Sequence, residues 1–117
     1  MHDFRRLRVW QLSRELAAEL GKVVQTFPRS DRGVIANQLR RSALSVPANI
    51  SEGCGDDSRA ETLRFLRMAV RSATETENHL VAAADAGFLR REVSDRFIER
   101  TVSIQKMLRA LIQNLPK

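Results

Sequence analysis

The sequence of 117 residues has no tyrosine, one tryptophan and five phenylalanines. With so few aromatic faces to stack on, base-by-base reading of single strands is poorly supported. There is one cysteine, Cys54, so no intrachain disulfide can form and no oxidising compartment is implied. It lies between two glycines with no base near it in sequence, and it is read as an inert thiol. Three prolines and five glycines leave few points at which a helix would break. No apolar run approaches the roughly 20 residues needed to cross a bilayer. The start MHDFRRLRVW lacks the apolar stretch of a secretory signal. A cytoplasmic chain without membrane contact is expected.

Enzyme signatures are missing as well. There is no Gly-x-x-x-x-Gly-Lys loop, no Gly-x-Gly-x-x-Gly and no Gly-x-Ser-x-Gly. A di-iron bundle needs two Glu-x-x-His motifs, and neither His2 nor His79 follows a glutamate by three. Glu75 and His79 are four apart and read as a surface pair, too few ligands for a zinc site. No catalytic residue, metal or cofactor is expected, and the protein is read as a non-enzyme.

What the chain has in abundance is arginine. Of 20 Lys+Arg, all but Lys22, Lys106 and Lys117 are arginine, and the formal net charge is +6. Guanidinium forks match phosphate oxygens bidentately, so a basic, arginine-rich surface points to a polyanionic partner. An arginine-biased codon usage would give the same excess.

Apolar residues recur at helical spacing along almost the whole chain. The stripes are Val9, Leu12, Leu16, Leu20, Val23 and Phe27; then Ile35, Leu39, Ala43, Val46 and Ile50; then Leu63, Leu66, Val70, Ala73, Leu80 and Ala84; then Val93, Phe97, Ile104, Leu108, Leu111 and Leu115. Phe27-Pro28 ends the first, because the residue before proline avoids the helical region. Ser30 or Asp31 is expected to cap the second. Pro47 is expected to kink it by removing the bond to the Ala43 carbonyl, with Ser42 and Ser45 supplying partners. Ser58 and Glu61 read as a capping box, and Gly87 as a C-cap. Helices are expected over about 5–26, 31–53, 58–86 and 92–114, in one domain spanning 1–117. Short connections make successive helices antiparallel, so the expected fold is all-α: an antiparallel up-down-up-down four-helix bundle.

Helix two also carries a polar stripe, Gln38, Arg41, Ser45, Asn49 and Glu52, three or four apart on one face. With Glu77, which falls on an apolar seam, these residues are read as a polar structural network, Glu77 pairing with Arg40 or Arg41. An anion or ligand site at Arg41, Glu52 and Glu77 is the other reading. On helix three Arg64, Arg67 and Arg71 project together. Arg40, Arg41, Arg64, Arg67 and Arg71 are the candidate nucleic-acid-binding residues.

The stretch Gln38 to Gly53, reading QLRRSALSVPANISEG, resembles the signature of a bacterial four-helix-bundle family encoded in intervening sequences of ribosomal RNA genes. That family is related to the accessory variability determinant proteins of diversity-generating retroelements. Phe4-x-x-Leu7-x-Val9-Trp10, Phe27-Pro28, and Phe65-Leu66-Arg67-Met68-Ala69 with Ser72 and Glu75-Thr76-Glu77 are similar to its other helices. The resemblance covers nearly the whole chain. It implies a ring-shaped homopentamer and no known catalytic activity. For the retroelement members it implies binding to a reverse transcriptase and to DNA or RNA. The loop Cys54-Gly55-Asp56-Asp57 departs from the pattern: it is acidic where many relatives carry an aromatic and basic residues. The expected function is a non-enzymatic oligomeric accessory protein that binds nucleic acid through arginine-rich surfaces. The alternative is a protein-interaction scaffold, for example for a reverse transcriptase.

Overall fold

The computed structural model describes residues 3–55 and 58–116, without the side chains of 31–33. His2, the acidic pair Asp56-Asp57 and the expected Asp31 side-chain cap lie outside the described residues.

A single 3-10 turn, Phe4–Arg6, leads into α1, Arg8–Val23, which tightens into a second 3-10 turn over Val24–Thr26. At Phe27 the backbone swings out to φ −72°, ψ 154°, as a residue preceding proline must. The chain then winds through a 3-10 turn, Arg29–Asp31, and a π turn, Arg32–Ala36, directly into α2, Asn37–Cys54. Helical geometry therefore precedes α2 without a break, and the residue before α2 is Ala36, in helical conformation and without a side-chain cap, rather than the expected Ser30 or Asp31. The helix α3 spans Arg59–Asp85 and α4 spans Arg91–Gln113, and no strand occurs among the described residues.

Local chemistry accounts for the ends. Ser58 accepts the Glu61 amide at the start of α3 at 3.3 Å, whereas the Glu61 carboxylate takes the Arg64 guanidinium at 2.9 Å. The last turn of α3 closes through Gly87, whose φ of +81° is open to glycine. The amides of Phe88 and Gly87 donate to the carbonyls of Ala83 and Ala84 at 2.9 and 3.0 Å, the reciprocal pair of a glycine-terminated helix.

Each helix packs on the next, and α4 returns against α1, in a rod of 47 × 23 × 20 Å. Cross-helix contacts run in opposite directions along the paired helices. Ser42 meets Thr76 and Gly53 meets Thr62; Ser94 meets Leu80 and Gln105 meets Glu77. The helix pairs are antiparallel. Leu20, Leu39, Ile50, Leu66, Leu80 and Leu108 are fully sealed at 0% exposure, each burial worth about 1.5–3 kcal/mol. No helix among the described residues is long and apolar enough to cross a membrane.

Pro47 sits within α2, which continues through it. Ser42 donates to Leu39 at 3.1 Å, so it does not serve the Ala43 carbonyl that Pro47 leaves free. At Gly53 α2 and α3 approach closely, and a Cβ there would stand 3.2 Å from Phe65 Cβ. Thr62 Oγ1 donates to the Gly53 carbonyl there at 2.9 Å. Cys54 is buried beside it, and burial pushes its thiol up, keeping it protonated and unreactive at neutral pH.

The α1–α4 seam is clasped by Arg100, which donates to the Glu19 carboxylate. That hydrogen bond holds the Glu19 carboxyl below the usual range, against a smaller desolvation effect. A carboxyl that ionises more readily folded than unfolded adds stability above its unfolded pKa, about 4.3. It loses that contribution as pH falls through the folded value. Both partners are partly exposed, at 39% and 52%, and so are screened by water. Glu19→Gln is expected to cost at most about 0.5 kcal/mol at pH 7. The difference from the parent should close on acidification, read by denaturant melts of both proteins across that range.

Candidate functional site

Small hydroxyl residues let α2 and α3 approach closely, and they form a continuous polar seam. Thr76 Oγ1 donates at 2.9 Å to Ser42 Oγ or to the Ser72 carbonyl. Ser72 donates to Ser45 Oγ at 2.9 Å. Asn49 Nδ2 donates to the Ser45 carbonyl at 2.9 Å and to its hydroxyl at 3.0 Å. Ser42, Asn49, Ser72 and Thr76 are all buried. Buried polar groups with partners fix register between helices.

Of the expected network only Ser45 and Asn49 enter this seam. Arg41 makes no ion pair with Glu52 or with Glu77, and neither does Arg40. Glu77 lies on the opposite side of α3, where the buried Gln105 of α4 donates to it at 2.9 Å. An amide thus takes the place expected of an arginine. Glu52 lies at the far end of the bundle, in a groove with Phe4, Ser51, Gly55, Glu61 and Phe65. Arg41, Glu52 and Glu77 do not converge, so the anticipated ligand site at those three does not exist. Ser72, Thr76 and Gln105 were not anticipated in these roles. Their signal was present: Ser72 and Thr76 are four apart, on the face that α3 turns to α2.

Outside the hydroxyl seam an open groove of about 700 Å³ runs between α2 and α3. Gln38, Arg41 and Ser45 line it from α2, and Ser72, Glu75, Asn78 and His79 from α3. The expected Glu75–His79 pair is not closed by an ion pair. Among the described residues no three His, Cys, Asp or Glu side chains gather around one point.

The five candidate arginines divide into three settings. Arg64 is engaged, paired with Glu61 and lying 4.5 Å from the centroid of the Phe65 ring. Arg67 and Arg71 are exposed on the same helix. Arg41 stands on the α2–α3 groove, while Arg40 turns the other way around α2, onto a smaller groove with Val24, Gln25, Ala36 and Asn37. Arg40, Arg41, Arg67 and Arg71 form no ion pair among the described residues. Elsewhere, Arg6, Arg90, Arg91 and Arg100 face carboxylates within 4 Å or less. Arg8, Arg14 and Lys22 on α1 and Arg96, Lys106 and Arg109 on α4 likewise form no ion pair among the described residues, so α2 and α3 share the open positive charge with the rest of the bundle.

Residues 5–110 match the family described as 23S rRNA-intervening sequence protein. Among solved structures the chain is similar to a protein of unknown function from the S23 ribosomal protein family of Bacteroides thetaiotaomicron VPI-5482. The TM-score is 0.84 at 27% identity, over 91% of this chain and 96% of that one. No curated protein matches the chain.

Proposed function

The chain belongs to the 23S rRNA-intervening sequence protein family, and within that family we propose that it is a non-enzymatic, cytoplasmic accessory protein that binds nucleic acid through α2 and α3. The observation that carries this reading is the set of four arginines, Arg40, Arg41, Arg67 and Arg71, left without ion pairs among the described residues on neighbouring helices. A guanidinium without a carboxylate beside it keeps its fork free for phosphate. The net charge of +6 favours the same partner through long-range attraction.

The protein acts as a ring-shaped homo-oligomer, a pentamer by its resemblance to the accessory proteins of diversity-generating retroelements. Repetition of the arginines around an axis turns individually weak phosphate contacts into useful avidity. A second reading, a scaffold for a protein such as a reverse transcriptase, is favoured by Leu44 and Met68, which are 46% and 36% exposed on α2 and α3. Apolar side chains held in water are available for a protein partner.

Fluorescence anisotropy with labelled single strands at low salt separates the two. Saturable binding to generic strands is the expected result. No binding at low salt, together with retention of a protein partner, would leave the scaffold reading in its place.

A further inference from the structure

The groove between α2 and α3 holds a cation and a carboxylate that do not close on each other. Arg41 and Glu75 both line it, yet neither makes an ion pair among the described residues. A guanidinium only donates and a carboxylate only accepts. A ligand that fits both carries an anionic group and, a short way along, a hydroxyl to donate. Gln38 and Asn78, on the same groove, each offer both kinds of hydrogen-bonding atom. Sites for small organic molecules are mostly apolar and enclosing. This groove is open and its lining residues are all polar, which suits a polar backbone laid along it.

We propose that this groove is a ribose-phosphate subsite for single-stranded RNA: Arg41 takes a phosphate, Glu75 accepts from a 2′-hydroxyl, and Gln38 and Asn78 complete the contacts to the sugar. The assignment rests on the nucleic-acid reading above and deepens it. A carboxylate beside a phosphate backbone repels every strand. Only a strand with a 2′-hydroxyl offsets that repulsion with a hydrogen bond, so Glu75 acts as the discriminator. The 2′-hydroxyl is the group by which proteins tell RNA from DNA at a given site.

The test measures affinities of the whole protein for RNA and DNA single strands of one sequence, with uracil in both, at one low salt concentration. The parent is expected to bind RNA about tenfold more tightly, the lower end of the worth of one hydrogen bond to a charged group. In Glu75→Ala the ratio should fall towards one, with DNA binding unchanged or tighter because the repulsion is gone. Glu75 is exposed, and the thermal melt of the variant should match the parent. Equal binding of RNA and DNA by the parent overturns the subsite and leaves the nucleic-acid reading standing. A preference that survives Glu75→Ala overturns it too. Failure of both strands to bind overturns both. Ribose 5-phosphate is the third probe: if it binds at the groove while RNA does not displace it, the assignment to a strand is wrong.

Discussion

Replacing Phe27 by alanine is expected to cost the fold about 3–5 kcal/mol, the largest effect of any single truncation near the connections. Phe27 is only 2% exposed, although it lies outside every helix. It stands where the chain leaves α1, and its ring lies 5.4 Å from that of Phe88 in the α3–α4 connection, tilted by 43°. The pair closes one end of the bundle by joining two connections far apart in sequence. Truncation removes the buried ring, leaves a cavity that flanking helices fill incompletely, and deletes the aromatic contact. For a domain of this size the loss corresponds to a fall in melting temperature of well over ten degrees. Chemical denaturation with an unchanged m-value would show that stability was lost and the unfolded state was left alone. A loss below about 1 kcal/mol would mean that this end of the bundle is not packed as described.

Phe27 also shows what was legible in the sequence and what was not. Its burial was readable, because it ends the apolar stripe of α1, and Pro28 marked the break. Its partner was not, because nothing local links Phe27 to Phe88. The same division holds at the groove. The helical periods of α2 and α3 placed Gln38, Arg41 and Ser45 on one face. Periodicity fixes which residues share a face, but not which neighbouring helix that face meets. Glu77 was recognised as out of place on an apolar seam, yet its partner proved to be Gln105 rather than an arginine. A neutral amide satisfies a half-buried carboxylate without bringing a second charge out of water. Ser72 and Thr76 were passed over because short hydroxyl residues look neutral in a helix. Only the close approach of α2 and α3, permitted by Gly53 and those same small side chains, makes them a hydrogen-bonded seam.

The second large effect is expected from the arginines. With Arg40, Arg41, Arg67 and Arg71 all changed to glutamine, affinity for a single strand at 50 mM salt should fall on the order of a thousandfold. Each phosphate neutralised on a single strand contributes about 0.7 to the slope of log affinity against log salt, so four give roughly 3. The electrostatic part then grows by that power between 1 M salt, where it vanishes, and 50 mM. Arg64→Gln alone should do much less, because Arg64 is already held by Glu61 and by the Phe65 ring. None of the four arginines has an ion pair among the described residues to lose. The quadruple variant should therefore fold as stably as the parent, and circular dichroism melts should overlay. Loss of affinity with an intact fold separates a binding surface from a merely solvated one.

Nucleic-acid binding through α2 and α3 requires that Arg40, Arg41, Arg67 and Arg71 meet phosphate. The most direct measurement is the affinity of the parent protein for a single strand of RNA across a salt series. Binding through these four arginines gives a straight line of log affinity against log salt with a slope near −3, an approximately 50-fold loss of affinity between 50 and 200 mM. A flat line, with affinity indifferent to salt, would contradict it.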